Sequence, residues 1–295
     1  MTAPLVPGTE AVLRLLLYFD VFDHPVSVAE LAGWLGPSAT ASVEALLAAG
    51  RIAETGPWLA LPGRTDLADR RRTGARAAER LWPTAYRSAS LLARFPWTRG
   101  VLVTGGLSKD SVASGADVDF LVLVEPGRVW LVKSALQLLR KALPEAAREA
   151  LCTNYLLDVE HLEIPENERD LYAAVELVTA RPLYGPVACQ ALLEANRAWV
   201  AQWFPAHDPS AAKRARPIRA HGRGFSGLDR LDAAARLAWD RYWGAKYGHL
   251  PADDFQRQFR RDPHVSTNHL DDWRAPVLSA WRARLAAHGV SEEDQ

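Results

Sequence analysis

An apolar run that stops at a glycine pair, then resumes behind two aspartates one residue apart, constrains this chain more than any other stretch. It reads Val101-Leu-Val-Thr-Gly105-Gly106-Leu-Ser108-Lys109-Asp-Ser111-Val-Ala-Ser-Gly-Ala-Asp117-Val-Asp119-Phe-Leu-Val-Leu-Val124. Residues i and i+2 of a strand project to one face, so Asp117 and Asp119 point the same way. Two like charges on one face are costly unless a cation sits between them, and a hard divalent ion with open positions for phosphate oxygens suits them. Gly105 and Gly106 permit a tight turn whose backbone N–H groups can approach an anion. A metal pair and a phosphate cradle in one strand–turn–strand unit point to nucleotide chemistry.

The turn, the spacer and the Asp-x-Asp pair together resemble the nucleotidyltransferases of the DNA polymerase β superfamily. Pro126-Gly-Arg-Val-Trp-Leu131, Cys152-Thr-Asn-Tyr-Leu-Leu-Asp158, Arg181-Pro-Leu-Tyr-Gly185 and Asn196-Arg-Ala-Trp199 extend the likeness. They make the chain similar to a bacterial group of nucleotidyltransferase-domain proteins with an N-terminal winged-helix-like segment. The resemblance implies an Mg²⁺-dependent enzyme with two ions, which moves a nucleoside monophosphate from an NTP to an acceptor hydroxyl. The acceptor is left open among a small molecule, a protein and an RNA end. Asp117 and Asp119 are implied metal ligands and catalytic residues, and Gly105 and Gly106 are implied phosphate contacts. In the family the second turn position is commonly Ser. Here it is Gly106, so the hydroxyl contact is expected to be lost or moved to Ser108 or Ser111, with Lys109 offsetting phosphate charge.

Superfamily members carry a third carboxylate on a neighbouring strand, expected here over 151–159. Alternation puts Asn154, Leu156 and Asp158 on one face. Asp158 is therefore the expected third metal ligand and catalytic acid, and Asn154 a neutral oxygen ligand or base contact. The competing reading is a weak or inactive nucleotidyltransferase fold that senses a nucleotide or contacts a protein. The Gly106 exchange and the position of Asp158 favour that rival.

At 295 residues, 48% hydrophobic and 24% charged, the chain suits a globular protein of one large or several small domains. Lys+Arg and Asp+Glu are both 35, so no global basic field draws it to nucleic acid or an anionic membrane. No window is apolar over a bilayer's width and no signal peptide is evident, so a cytoplasmic location is expected. The two cysteines, Cys152 and Cys189, are too few for a disulfide framework and are expected in or near the core as small hydrophobes.

The expected class is α+β: a nucleotidyltransferase core with a small mixed sheet flanked by helices, a winged-helix-like domain before it and a helical region after it. The segments are 1–63 winged-helix-like, 64–96 connecting helix, 97–165 core and 166–295 helical. Helices are expected over 10–22, after a Ser27–Glu30 capping box, and over 39–49, followed by a two-stranded wing turning at Gly56-Pro57. The third helix has no basic residue, which argues against a duplex-DNA reader. Arg72, Arg76 and Arg80 share one face of the connecting helix, as a solvated face or as triphosphate contacts. Further helices are expected over 127–143, 170–180, 186–203, 227–247 and 273–287, with a loop over 207–224. Trp199, Trp203, Trp239 and Trp243 are read as packing residues, and His264 and His269 as a candidate acceptor-side surface.

Overall fold

The structure is a computed structural model that describes residues 8–64, 66–112, 117–145, 148, 151–211, 227–268 and 273–292. It is α+β, with helices on both sides of a six-stranded mixed sheet. The N-terminal elements are α1 (Thr9–Asp20), α2 (Val28–Leu35), α3 (Ala39–Ala48) and a hairpin of β1 (Ala53–Thr55) and β2 (Trp58–Ala60). Ser27 and Glu30 close the expected capping box on α2, each side chain serving the other's backbone N–H. The long helix α4 (Leu67–Leu92) then leads into the sheet.

The sheet strands are β3 (Thr98–Val103), β4 (Asp119–Val124), β5 (Cys152–Asp158), β6 (Arg181–Tyr184), β7 (Arg261–Asp262) and β8 (Val265–Thr267), in spatial order β6-β3-β4-β5-β8-β7. Every neighbouring pair is antiparallel except β4 and β5, which are parallel across the helix α6 (Val129–Ala142). A four-residue helix, α5 (Gly105–Ser108), follows β3 directly.

Side-chain alternation divides the core between the two faces. Val101, Val103, Phe120, Val122, Val124 and Leu156 pack with α4 and α6, while Leu102, Leu121, Leu123 and Leu157 pack on the other side. Central strands covered on both faces read as continuous apolar runs, as 101–103 and 120–124 do. Each fully buried Leu or Val contributes about 1.5–3 kcal/mol, so these strands anchor whatever sits at their ends.

The region after 166 is not purely helical. It supplies α7 (Leu171–Thr179), α8 (Pro186–Ala195), α9 (Arg197–Val200), α10 (Asp229–Tyr247), α11 (Ala252–Gln258) and α12 (Arg274–His288), but also β6, β7 and β8 of the central sheet. Pro182 lies in β6, an edge strand, where a missing N–H is tolerated. The helix expected over 186–203 breaks at Asn196, which is fully buried. Its Oδ1 accepts from Ile164 N and Trp199 Nε1, and its Nδ2 donates to the carbonyls of Leu162 and Leu192.

The N-terminal elements share a core with the far end of the chain. Trp281 is fully buried and donates through Nε1 to the Arg14 carbonyl at 3.1 Å. Arg14 donates in turn to the Ser291 carbonyl, and Arg284 to Asp20. Trp199 and Trp243 are buried and Trp203 and Trp239 half-buried, all in packed clusters, as expected. No helix among the described residues is long and apolar enough to cross a membrane. The loop expected over 207–224 falls mostly outside the described residues, as does His269.

Candidate functional site

Asp119 opens β4 beside the turn that closes β3, and the two are packed with no room to spare. Gly105 has φ +66°, and a Cβ there would collide with Asp119 Oδ2. Glycine is required at 105 both for its left-handed backbone and for the approach of the carboxylate. Gly106 is required for a different reason, because a Cβ would stand 2.5 Å from the Ser111 carbonyl oxygen. The serine expected at this place in the family has no space here.

Asp119 is half-buried, and its carboxyl is pushed up to about 7. Burial is the main cause, followed by the negative charges of Asp117 and Glu176; Lys109 and a hydrogen bond from Asn154 oppose it. Asn154 Nδ2 donates to Asp119 Oδ1 at 3.1 Å. Cys189 is buried, whereas Cys152, opposite Asp119 in the β4–β5 register, is partly buried. Burial and the neighbouring Asp117 and Asp119 push its thiol up to about 12. Ligand atoms of Asp117, Asp119 and Cys152 lie within 4.8 Å of one another.

These residues form one end of a cleft of ≈ 1050 Å³ lined by Thr104, Gly105, Asp117, Asp119, Cys152 and Asn154. Its lining also includes Arg140, Arg236, Arg257, Arg260 and Arg274. Arg257, Arg260 and Arg274 are held by Asp254, Glu168 and Asp170. Arg140, in the last turn of α6, is different: its buried Nε has no hydrogen-bond partner among the described residues. Its charge also acts on Cys152, which places it near the acidic end.

The expected site residues divide into three groups. Gly105, Asp117, Asp119 and Asn154 line the cleft together. Gly106, Ser108 and Lys109 stand behind it. Ser108 is buried, and its hydroxyl donates to the Gly105 carbonyl at 2.8 Å. Lys109 Nζ lies 3.0 Å from the same carbonyl and 2.8 Å from Glu176 Oε1. Neither side chain is the phosphate contact expected of it; both brace the turn.

Asp158 is elsewhere. Because β4 and β5 run parallel, Cys152 pairs with Asp119 while Asp158 pairs with Val124 at the other end of the strand. Five register steps separate them, roughly 16 Å at strand rise. Asp158 lies at the opposite end of the strand from Asn154, so it is not a ligand at the Asp117–Asp119 end. Nor do the arginines of α4 reach the cleft: Arg72, Arg76 and Arg80 are exposed, and Arg72 pairs with Asp69.

Sequence reasoning missed Glu176 and Arg140. Glu176 Oε2 accepts the Gly105 N–H at 2.9 Å, so an internal carboxylate occupies one donor of the turn. Both residues sit in ordinary amphipathic helices distant in sequence from the motif, which offers no spacing to read. Comparison of the chain with protein-family models, curated proteins and solved structures finds no match.

Proposed function

We propose that the cleft binds a nucleoside triphosphate with Mg²⁺ and transfers its nucleoside monophosphate to an acceptor hydroxyl, releasing pyrophosphate. The observation that carries this reading is Asp117 and Asp119 meeting the Gly105 turn at the end of an arginine-bearing cleft. The antiparallel β3–β4 pair, the parallel β4–β5 pair and the intervening helices support a nucleotidyltransferase core. The α1–α3 helices and the β1–β2 hairpin support a winged-helix unit, and a third helix without Lys or Arg favours a protein contact over duplex DNA.

The residues fit a hard divalent cation. Two carboxylates converge, and their mutual repulsion is what a positive ion relieves. Bound Mg²⁺ supplies Lewis-acid contact and charge neutralisation to phosphoryl oxygens. In this reading Asp117 and Asp119 would hold the ion, and Arg140, whose Nε has no partner among the described residues, would offset phosphate charge. Glu176 and Lys109 fix the Gly105 turn at the depth the carboxylates require. The acceptor hydroxyl gives up its proton to solvent, and its oxygen forms one bond to the α-phosphorus as the bond to pyrophosphate breaks.

A second reading, nucleotide binding without turnover, is favoured by one observation. Asn154, not an acid, is the β5 side chain bonded to Asp119. Calorimetric titration of each NTP with Mg²⁺, paired with a pyrophosphate-release assay, separates the two. Binding with release supports transfer, binding without release supports the second reading, and no Mg²⁺-dependent binding overturns both.

A further inference from the structure

Arg236 lies in α10, half-buried, and lines the cleft. The aspartates one turn away on either side, Asp232 and Asp240, stand at the i±4 positions from which a helical arginine is ordinarily paired. Both are committed elsewhere. Asp232 is buried, and its Oδ1 accepts from Trp130 N at 2.9 Å and Leu131 N at 2.8 Å, which satisfies the first turn of α6. Asp240 Oδ1 lies 2.6 Å from Arg261 Nη1. Arg236 itself holds one backbone carbonyl, donating through Nη1 to Arg261 O at 3.3 Å. Among the described residues, Arg257, Arg260, Arg261 and Arg274 of the cleft each have an ion pair, and Arg236 has none.

We propose that the acceptor is a small hydroxy compound carrying an oxyanion of its own, phosphate or carboxylate, and that Arg236 binds that group. The proposal rests on the nucleotidyl-transfer reading above. A half-buried guanidinium without a counter-charge is suited to an oxyanion, because its planar fork donates two parallel N–H bonds. Its place in the cleft separates it from the triphosphate. Arg236 is tied to Arg261 of β7, and β7 stands three strand spacings from β4, about 14 Å across the sheet. Arg140, whose charge acts on Cys152, belongs to the acid pair's end instead. The cleft, at ≈ 1050 Å³, is at the upper limit of the about 300–1,000 Å³ that a single small ligand fills, which leaves room for a second molecule beside the NTP.

One uncommitted arginine matches one anionic group. A nucleic-acid end brings a phosphate with every nucleotide and is held by a succession of Lys and Arg. Here the neighbouring arginines are neutralised by their own carboxylates, and Asp240, Asp253 and Asp262 in the same lining repel further phosphates. A small acceptor with a single oxyanion fits this balance. Anchored at Arg236, it would present its hydroxyl toward the metal end in a fixed orientation, the contribution expected of a positioning contact remote from the reacting atoms.

The probes are glycerol 3-phosphate, glycerate and glycerol, each titrated into the full chain saturated with Mg²⁺ and a non-hydrolysable NTP and followed by ligand-observed NMR. Affinity for the Mg²⁺–NTP is measured separately by calorimetry. Wild type binds glycerol 3-phosphate or glycerate and not glycerol, and the tighter of the two names the oxyanion. Arg236→Ala lowers that affinity about 10- to 100-fold, the worth of a charged hydrogen bond, and leaves Mg²⁺–NTP affinity unchanged. Arg236→Lys keeps the charge and recovers part of the loss, which a purely structural role would not reproduce. Thermal melting confirms that both variants are folded. Equal binding of all three probes, binding of none, or a parallel loss of Mg²⁺–NTP affinity in Arg236→Ala overturns the proposal and leaves the nucleotide reading standing. Absence of Mg²⁺–NTP binding in wild type overturns that reading and the acceptor role with it.

Discussion

Asn154 Nδ2 donates to Asp119 Oδ1 at 3.1 Å, which places a neutral amide of β5 against the acid pair. The amide stabilises one ionised carboxylate without adding charge. With Asp117 and Glu176 already acting on Asp119, a further acid there would raise the cost of the empty site and increase its attraction for a cation. The choice of Asn over Asp sets both terms at once.

Replacing Asn154 by Asp should therefore tighten Mg²⁺ binding by about tenfold, or about 1.4 kcal/mol, while lowering the stability of the metal-free protein. Calorimetry of Mg²⁺ with a non-hydrolysable NTP measures the first, and thermal melting in chelator the second. Weaker Mg²⁺ binding in Asn154→Asp would count against a metal held by Asp117 and Asp119.

Asp119→Asn should abolish Mg²⁺-dependent nucleotide binding and flatten the pH dependence of the apo protein. The folded carboxyl titrates near 7 against 3.8 ordinarily, so the folded state holds its proton more tightly than the unfolded chain. The group's contribution to stability is full below about pH 4 and is lost as pH rises to about 7. Without metal, the variant should exceed wild type at pH 8 by on the order of 2–4 kcal/mol and match it near pH 4. Urea unfolding at the two pH values, in chelator, checks this; an equal loss of stability in both proteins contradicts it.

Gly106→Ser should destabilise the protein by about 1–3 kcal/mol, because its Cβ meets the Ser111 carbonyl at 2.5 Å. Restoring the family's usual serine would then not improve nucleotide affinity. Denaturant midpoints and an NTP titration of the variant test both halves, and a stable variant with tighter binding would show that the turn relaxes.

Asp158→Ala removes three hydrogen bonds to a fully buried carboxylate and should cost about 2–4 kcal/mol of stability. At temperatures where it remains folded, its Mg²⁺–nucleotide affinity should equal that of wild type. A selective loss of that affinity would return Asp158 to the cleft.

The comparison of these residues shows which information a sequence carries locally. Asp117, Asp119, Gly105 and Asn154 were legible because each belongs to a short strand or turn whose period and sterics are set within a few residues. Asp158 was misplaced because alternation reports a face and not a position along the strand. Parallel or antiparallel pairing decides which end of β5 stands beside Asp119, and that depends on the α6 crossover. Strands β6, β7 and β8 were hidden by their shortness and by Pro182 at the sheet edge. Glu176 and Arg140 reach the site only through packing of α7 and α6 against the sheet.

The union of Arg14 with Trp281 has a consequence for synthesis. These residues are 267 positions apart, and the first helix buries its apolar face partly against the last. During translation the part of α1 that packs against the last helix stays uncovered until residues near 281 have left the ribosome. Contacts of such long sequence separation slow folding, and the waiting surface is one a chaperone would hold.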